Sequence, residues 1–82
     1  MDPFLRIDIK IARDVVGKII GKKGNQIKQL TEKSGSKVTV QEIEDDENGS
    51  SLVTVVGKFE NSAIAQHLIQ EILFQHYSQD MD

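Results

Sequence analysis

Four consecutive residues, Gly21-Lys22-Lys23-Gly24, are the ones in this 82-residue chain best suited to grip a ligand. Gly17 and Lys18 lie just upstream, with Gly17 four residues before Gly21. Glycine lets a backbone come close to a bound group because no Cβ blocks the approach. The loop feeds a segment from Asn25 to Lys33 in which Ile27 and Leu30, three apart, form one apolar edge. The start of such a helix offers free N–H groups and the positive end of the dipole, both of which favour an anion. Lys22 and Lys23 bring charge to the same place, and Ile20, Ile27 and Val38 can form an apolar strip beside it. A phosphate clamp next to an apolar strip suits a single-stranded nucleic acid, whose backbone is anionic and whose bases are flat and apolar.

Other chemistries fit the residues less well. A nucleotide-triphosphate loop needs four residues between its glycines and a Ser or Thr after the lysine. Here Gly17 to Gly21 encloses three, and Lys23 stands where the metal-binding hydroxyl belongs. No G-x-G-x-x-G dinucleotide fingerprint occurs. Glu44, Asp46, Asn48 and Gly49 imitate the first half of a calcium loop, but its twelfth position falls on Val55, where a bidentate Glu is required. His67 and His76 are nine apart, too far for an i, i+4 zinc pair, and the chain has no cysteine. No serine or carboxylate pair has catalytic spacing. The expectation is a noncatalytic domain with no metal and no cofactor.

The net charge of −3 conceals a strong polarity. Residues 10–37 hold eight basic side chains against Asp14 and Glu32, whereas residues 41–82 hold nine acids against Lys58. A basic first half on an acidic body points to a polyanion-binding face. The length allows one small domain, which buries only about 60–65% of its unfolded surface. No apolar run approaches the roughly 18 residues of a membrane span. The start, Met1-Asp2-Pro3-Phe4, lacks the basic and apolar regions of a signal peptide, so an intracellular domain, cytoplasmic or nuclear, is expected.

The elements that must position the loop are legible from periodicity. Leu5 to Ile11 alternates apolar and charged, a half-buried strand with Leu5, Ile7, Ile9 and Ile11 inward. Asp14 is placed to cap a short helix over Val15–Ile20. The second helix runs to Lys33, and Gly35 suits the left-handed position after it. Ser36 to Ile43 alternates again, with Val38 and Val40 on one side. Glu44 to Ser50 is a polar hairpin loop whose Asn48-Gly49 pair is a turn signal, and Ser51 to Val56 returns as a third strand closed by Gly57. Phe59 to Tyr77 is helical, with Ile64, Leu68 and Ile72 spaced by four, a stripe widened by Ala65, Ile69 and Leu73, and Phe74 assigned to the core. The order is β-α-α-β-β-α, an α+β fold with a three-stranded antiparallel sheet and three helices on one face. One domain over residues 5–77 is expected, with fraying at 1–4 and 78–82.

The run Val15-Val16-Gly17-Lys18-Ile19-Ile20-Gly21-Lys22-Lys23-Gly24-Asn25-Gln26-Ile27-Lys28 resembles the signature of a KH domain, with Gly21-Lys22-Lys23-Gly24 as its GxxG loop. The element order is that of the type I topology, and the resemblance covers about residues 5–77. The same glycines would also serve a plain tight turn between two helices; the flanking strands favour the KH reading. The resemblance implies RNA or single-stranded DNA binding, with about four nucleotides in a narrow groove and the loop clamping the backbone. Carried over by position, Gly21, Lys22, Lys23 and Gly24 are the clamp. Gly17, Lys18, Ile20, Ile27 and Val38 line the base side, and Lys28 and Lys37 stand at the rim. The family commonly has alanine where Ser36 stands, a Thr-Gly pair where Ser34-Gly35 stands and proline near Ala12-Arg13; these departures leave the clamp untouched.

Gly57 to Gln66 and Ile72-Leu73 are similar to the zipcode-binding, insulin-like growth factor II mRNA-binding group. Ala65-Gln66 and Leu68-Ile69 are similar to the poly(C)-binding and Nova groups. Such units usually work beside further KH or other domains, or as dimers. The alternative is a KH fold used for protein contact or dimerisation, supported by the acidic hairpin and by Phe74 and Tyr77 on the last helix. The aromatic residues Phe4, Phe59, Phe74 and Tyr77 lie outside the expected groove, so stacking on aromatic rings should be minor.

Overall fold

Period-two alternation builds the sheet, and the computed structural model, which describes residues 3–79, shows where each face points. The strands are β1 (Phe4–Ala12), β2 (Lys37–Glu42) and β3 (Ser50–Lys58). They form one antiparallel sheet in the order β1-β3-β2. Ile7 and Val38 both lie opposite Val55, and Ile9 and Val40 both lie opposite Val53, so the apolar sets of all three strands share a face. Arg6, Asp8, Lys10, Thr39 and Gln41 alternate onto the other face. This is the expected α+β arrangement.

Three helices cover the apolar face: α1 (Val16–Ile20), α2 (Asn25–Ser34) and α3 (Phe59–Ser78). Ile19, Leu30, Ala65 and Ile69 come down from them to meet Ile11, Val38, Val53 and Val55. α3 packs over β1 and β3, while α2 packs over β2 and beside α3. Ile19 and Ile69 are wholly buried, each contributing about 1.5–3 kcal/mol. No described helix is long and apolar enough to cross a membrane.

Two close approaches fix how α2 meets the sheet. Gly35 ends α2 in the left-handed conformation at φ +75°, its N–H donating to the Thr31 carbonyl at 2.9 Å. The Ser34 hydroxyl donates to the Leu30 carbonyl at 2.6 Å and accepts from the Ser36 N–H at 3.1 Å. The chain therefore leaves the helix straight into β2. Ser36 then presses on buried Gly57 of β3, where a Cβ would lie 2.5 Å from the Ser36 Oγ. The hydroxyls of Ser36 and Ser51 are buried with no hydrogen-bond partner among the described residues.

Several sequence-based expectations need correction. Asp14 does not cap the first helix: a 3-10 turn over Arg13–Val15 leads into α1 with no side-chain cap. Its carboxylate stands 4.0 Å from the His76 Nε2 instead. Ile64 is 45% exposed and Phe74 is 73% exposed, so neither is core. The buried stripe of α3 is Ser62, Ala65 and Ile69, because the helix rotates to bring Ser62 under β1, where its hydroxyl donates to the Leu5 carbonyl at 3.0 Å. Phe4 belongs to β1 and Ser78 to α3, and the fraying expected at Met1–Asp2 and Asp80–Asp82 lies outside the described residues. The polar hairpin loop between β2 and β3 stands where it was expected, with positive φ at Asp45 and Gly49 and a turn at Asn48-Gly49 in which the Gly49 N–H donates to the Asp46 carbonyl at 3.0 Å.

Candidate nucleic-acid interface

The segment joining α1 to α2 is a strained turn. Gly21 closes α1, donating its N–H to the Gly17 carbonyl at 2.8 Å, and then takes φ 76°, ψ 178°. That region is essentially reserved for glycine. Lys23 sits in the left-handed region at φ 56°, ψ 26°, uncommon for a residue with a side chain. Gly24 follows at φ 75°, ψ 13° and donates to the Gly21 carbonyl at 3.2 Å. Three positive φ values in four residues reverse the chain in the space of one loop.

This reversal leaves Lys22 and Lys23 exposed at the entrance to α2. Gly21 and Gly24 use their N–H groups inside the turn, while those of Lys22 and Lys23 have no partner among the described residues. Two uncommitted N–H donors, two cationic side chains and a helix start therefore converge on one exposed spot, which favours an anionic group.

Beside the turn, Gly17 lies exposed on α1, and a Cβ built on it would meet nothing within 4 Å. Ile20 and Ile27 are half-buried, offering apolar surface close to the turn. Lys28 on α2 and Lys37 at the start of β2 are exposed. Among the described residues, none of Lys18, Lys22, Lys23, Lys28 and Lys37 forms an ion pair. Their charge is uncompensated there and available to an anionic ligand.

Two carried-over residues sit differently from the rest. Val38 is 7% exposed and belongs to the core cluster, so it offers little surface, whereas half-buried Val40 on the same face of β2 offers more. Lys18 lines a cleft toward α3 with Gln26, Ile72 and His76.

The acidic loop between β2 and β3 is organised by Asp46. Its carboxylate accepts from the Ser50 N–H at 2.9 Å and the Asn48 N–H at 3.3 Å, and the Lys10 ammonium stands 3.8 Å away. The Ser50 hydroxyl and N–H, then the Asn48 N–H and Lys10, hold this carboxyl below the usual carboxylate range. Arg13 lies over Gly49, where a Cβ would be 3.7 Å from its guanidinium carbon. Part of the loop's negative charge is thus answered by β1 and the turn that follows it. The sequence signal for this is Asp46 two residues before Asn48, the spacing of an Asx turn.

Comparison with known proteins agrees with this fold. The family model for the KH domain matches residues 6–71. This chain belongs to the KH domain family, and the strand order and helix placement make it type I. It is 34% identical over 71 residues to the RNA-binding protein rnc1 of Schizosaccharomyces pombe, covering 87% of this chain and 18% of that protein. The chain thus spans less than a fifth of that relative. Among solved structures it is similar to the first type I KH domain of human vigilin, with a TM-score of 0.61 over 95% of this chain and 79% of the other, at 22% identity.

Proposed function

We propose that this domain binds single-stranded RNA, and single-stranded DNA by the same contacts, holding about four nucleotides between the α1–α2 turn and β2. The observation that carries the reading is the turn itself. Gly21, Lys23 and Gly24 all take positive φ. This brings to one exposed spot two lysines and two N–H groups that have no partner among the described residues. Lys22 and Lys23 hold the phosphates. Gly17 lets the strand lie against α1, and Ile20, Ile27 and Val40 give the bases an apolar floor. Lys28 and Lys37 guide the backbone along the rim. Bases are read by apolar contact and hydrogen bonding, because the aromatic side chains lie elsewhere. The module performs no chemistry on its ligand.

So short a footprint supports a dissociation constant on the order of micromolar. Tighter binding needs further domains or a second copy, which raise the effective concentration. The coverage of rnc1 leaves room for such neighbours, and an RNA ligand places the work inside the cell. The test is fluorescence anisotropy with short single-stranded RNAs over a salt series. Neutralising two or three phosphates gives log K against log salt a slope of roughly −1.5 to −2. A flat dependence, or no binding, would overturn the reading.

A further inference from the structure

We infer that the groove between α2 and α3 is a second nucleic-acid contact, into which a single strand continues beyond the nucleotides held at the α1–α2 turn. This rests on the RNA-binding reading and extends it to the helical layer. Two clefts lie between the helices. One, of about 200 Å³, is bounded by Lys18 of α1, Gln26 of α2, and Gln75 and Gln79 at the end of α3. The other, of about 170 Å³, runs on between Gln29 and Lys33 of α2 and Leu68 and Glu71 of α3. They share Gln26, Ile72 and Gln75, so they form one continuous groove. Each is smaller than the roughly 300–1,000 Å³ of a small-molecule site. The shape suits a polymer that passes from one cleft into the next.

The groove begins where the turn ends. Gln26, common to both clefts, is the residue on which Gly21 packs. A strand whose phosphates lie at Lys22 and Lys23 has the entrance beside it. From Gln26 to Lys33 the helix rises about 10 Å. At a stacked spacing of about 3.4 Å per nucleotide, that length takes roughly three nucleotides.

The lining selects the occupant. The floor is apolar, with Leu30 buried and Leu68 and Ile72 half-buried. The walls carry the amides of Gln26, Gln29, Gln75 and Gln79. An amide both donates and accepts, and so matches the edges of bases. Lys18 and Lys33 stand at opposite ends, exposed and in no ion pair among the described residues. The carboxylates nearby face histidines: Glu71 lies 3.1 Å from the His67 Nε2 and Asp14 lies 4.0 Å from the His76 Nε2. An apolar floor, amide walls and a cation at each end meet bases, base edges and phosphates in turn. An uncharged peptide would leave both lysines unused.

The test is fluorescence anisotropy of the whole chain with random-sequence single-stranded RNA pools of four and of eight nucleotides. The proteins are wild type, Lys33→Glu, Gln75→Glu and Gln70→Glu. The last makes the same charge change on α3 at an exposed residue outside the groove. Circular dichroism and melting temperature check each fold. Lys33→Gln repeats the measurement without placing an acid at the negative end of α2. We expect Lys33→Glu and Gln75→Glu each to weaken octanucleotide binding about fivefold or more, and to leave tetranucleotide binding within about twofold of wild type. Gln70→Glu should change neither. Variants that bind octanucleotides as wild type does overturn the inference and leave the groove to a peptide ligand, with the RNA-binding reading intact. Equal losses on both lengths overturn it too, because the groove would then belong to the four-nucleotide site. Losses that Gln70→Glu shares do the same, because they report net charge and not a site. If wild type binds neither length, the RNA-binding reading itself fails and this inference falls with it.

Discussion

Gly21 is packed so tightly against Gln26 that no side chain fits between them. A Cβ built on Gly21 would stand 2.5 Å from the Gln26 Cβ and 2.8 Å from its backbone nitrogen. The first turn of α2 is thus braced on the end of α1, and the bare backbone of Gly21 is what lets the loop close. Gly21→Ala combines this clash with a φ of 76°. We expect it to destabilise the fold by about 2–4 kcal/mol, read as a shift in the urea midpoint.

Gly17 makes the opposite case. It lies in α1 with open space around its missing Cβ, so alanine fits there without strain. Gly17→Ala should leave stability unchanged or raise it by about 0.4–1 kcal/mol. The added methyl occupies the surface on which the nucleic acid is proposed to lie, so RNA affinity should fall. A variant that is more stable and binds as well as wild type would remove α1 from the interface.

Much of the fold and of the α1–α2 turn is legible in the amino-acid order. Alternation in Leu5–Ile11 and Val38–Val40 yields the sheet, and the Gly-Lys-Lys-Gly run between two helical segments yields the turn that carries the proposed clamp. What periodicity leaves open depends on tertiary rotation. Ile64, Leu68 and Ile72 keep a perfect spacing of four, yet α3 turns so that Ser62 and Ala65 go inward and Ile64 goes out. Spacing defines a stripe on a helix but not which edge of it meets the sheet. Likewise Val38 is apolar and correctly placed in β2, but its position opposite Val55 at the centre of the core buries it.

Ser36 carries an avoidable burden. Its hydroxyl is buried beside Gly57 with no hydrogen-bond partner among the described residues, while its backbone N–H is satisfied by Ser34. Ser36→Ala removes the orphaned hydroxyl and keeps every described hydrogen bond. We expect a gain of about 1 kcal/mol, raising the melting temperature by about 4–8 °C for a domain of this size. A lower melting temperature would show that the hydroxyl is satisfied in solution.

Asp46 gives the stability of the acidic loop a pH dependence. The Ser50 and Asn48 donors, with Lys10, hold its carboxyl below the ordinary value of 3.8. A depressed carboxyl stabilises the fold above its unfolded value, and that contribution is lost as pH falls below 3.8 toward the folded value. Wild type should therefore be more stable than Asp46→Asn at neutral pH, and the difference should shrink below pH 3.8. Parallel melting curves of the two proteins across that range check this. A difference that is constant with pH would contradict the ionic bracing of the loop.

Charge reversal of the clamp tests the central claim most directly. Lys22 and Lys23 are exposed and make no ion pair among the described residues, so Lys22→Asp with Lys23→Asp should change folding by only about 0.5 kcal/mol. Aspartate also tolerates the left-handed backbone at position 23. Each reversal places negative charge beside the phosphates and should cost binding about 1–2 kcal/mol, so the pair weakens RNA binding roughly 30-fold or more. The measurement is RNA affinity by anisotropy on the folded double variant, with circular dichroism and melting temperature as controls. The account predicts near-native folding and lost binding. A folded double variant that binds RNA as tightly as wild type would contradict it and leave protein contact as the domain's main role.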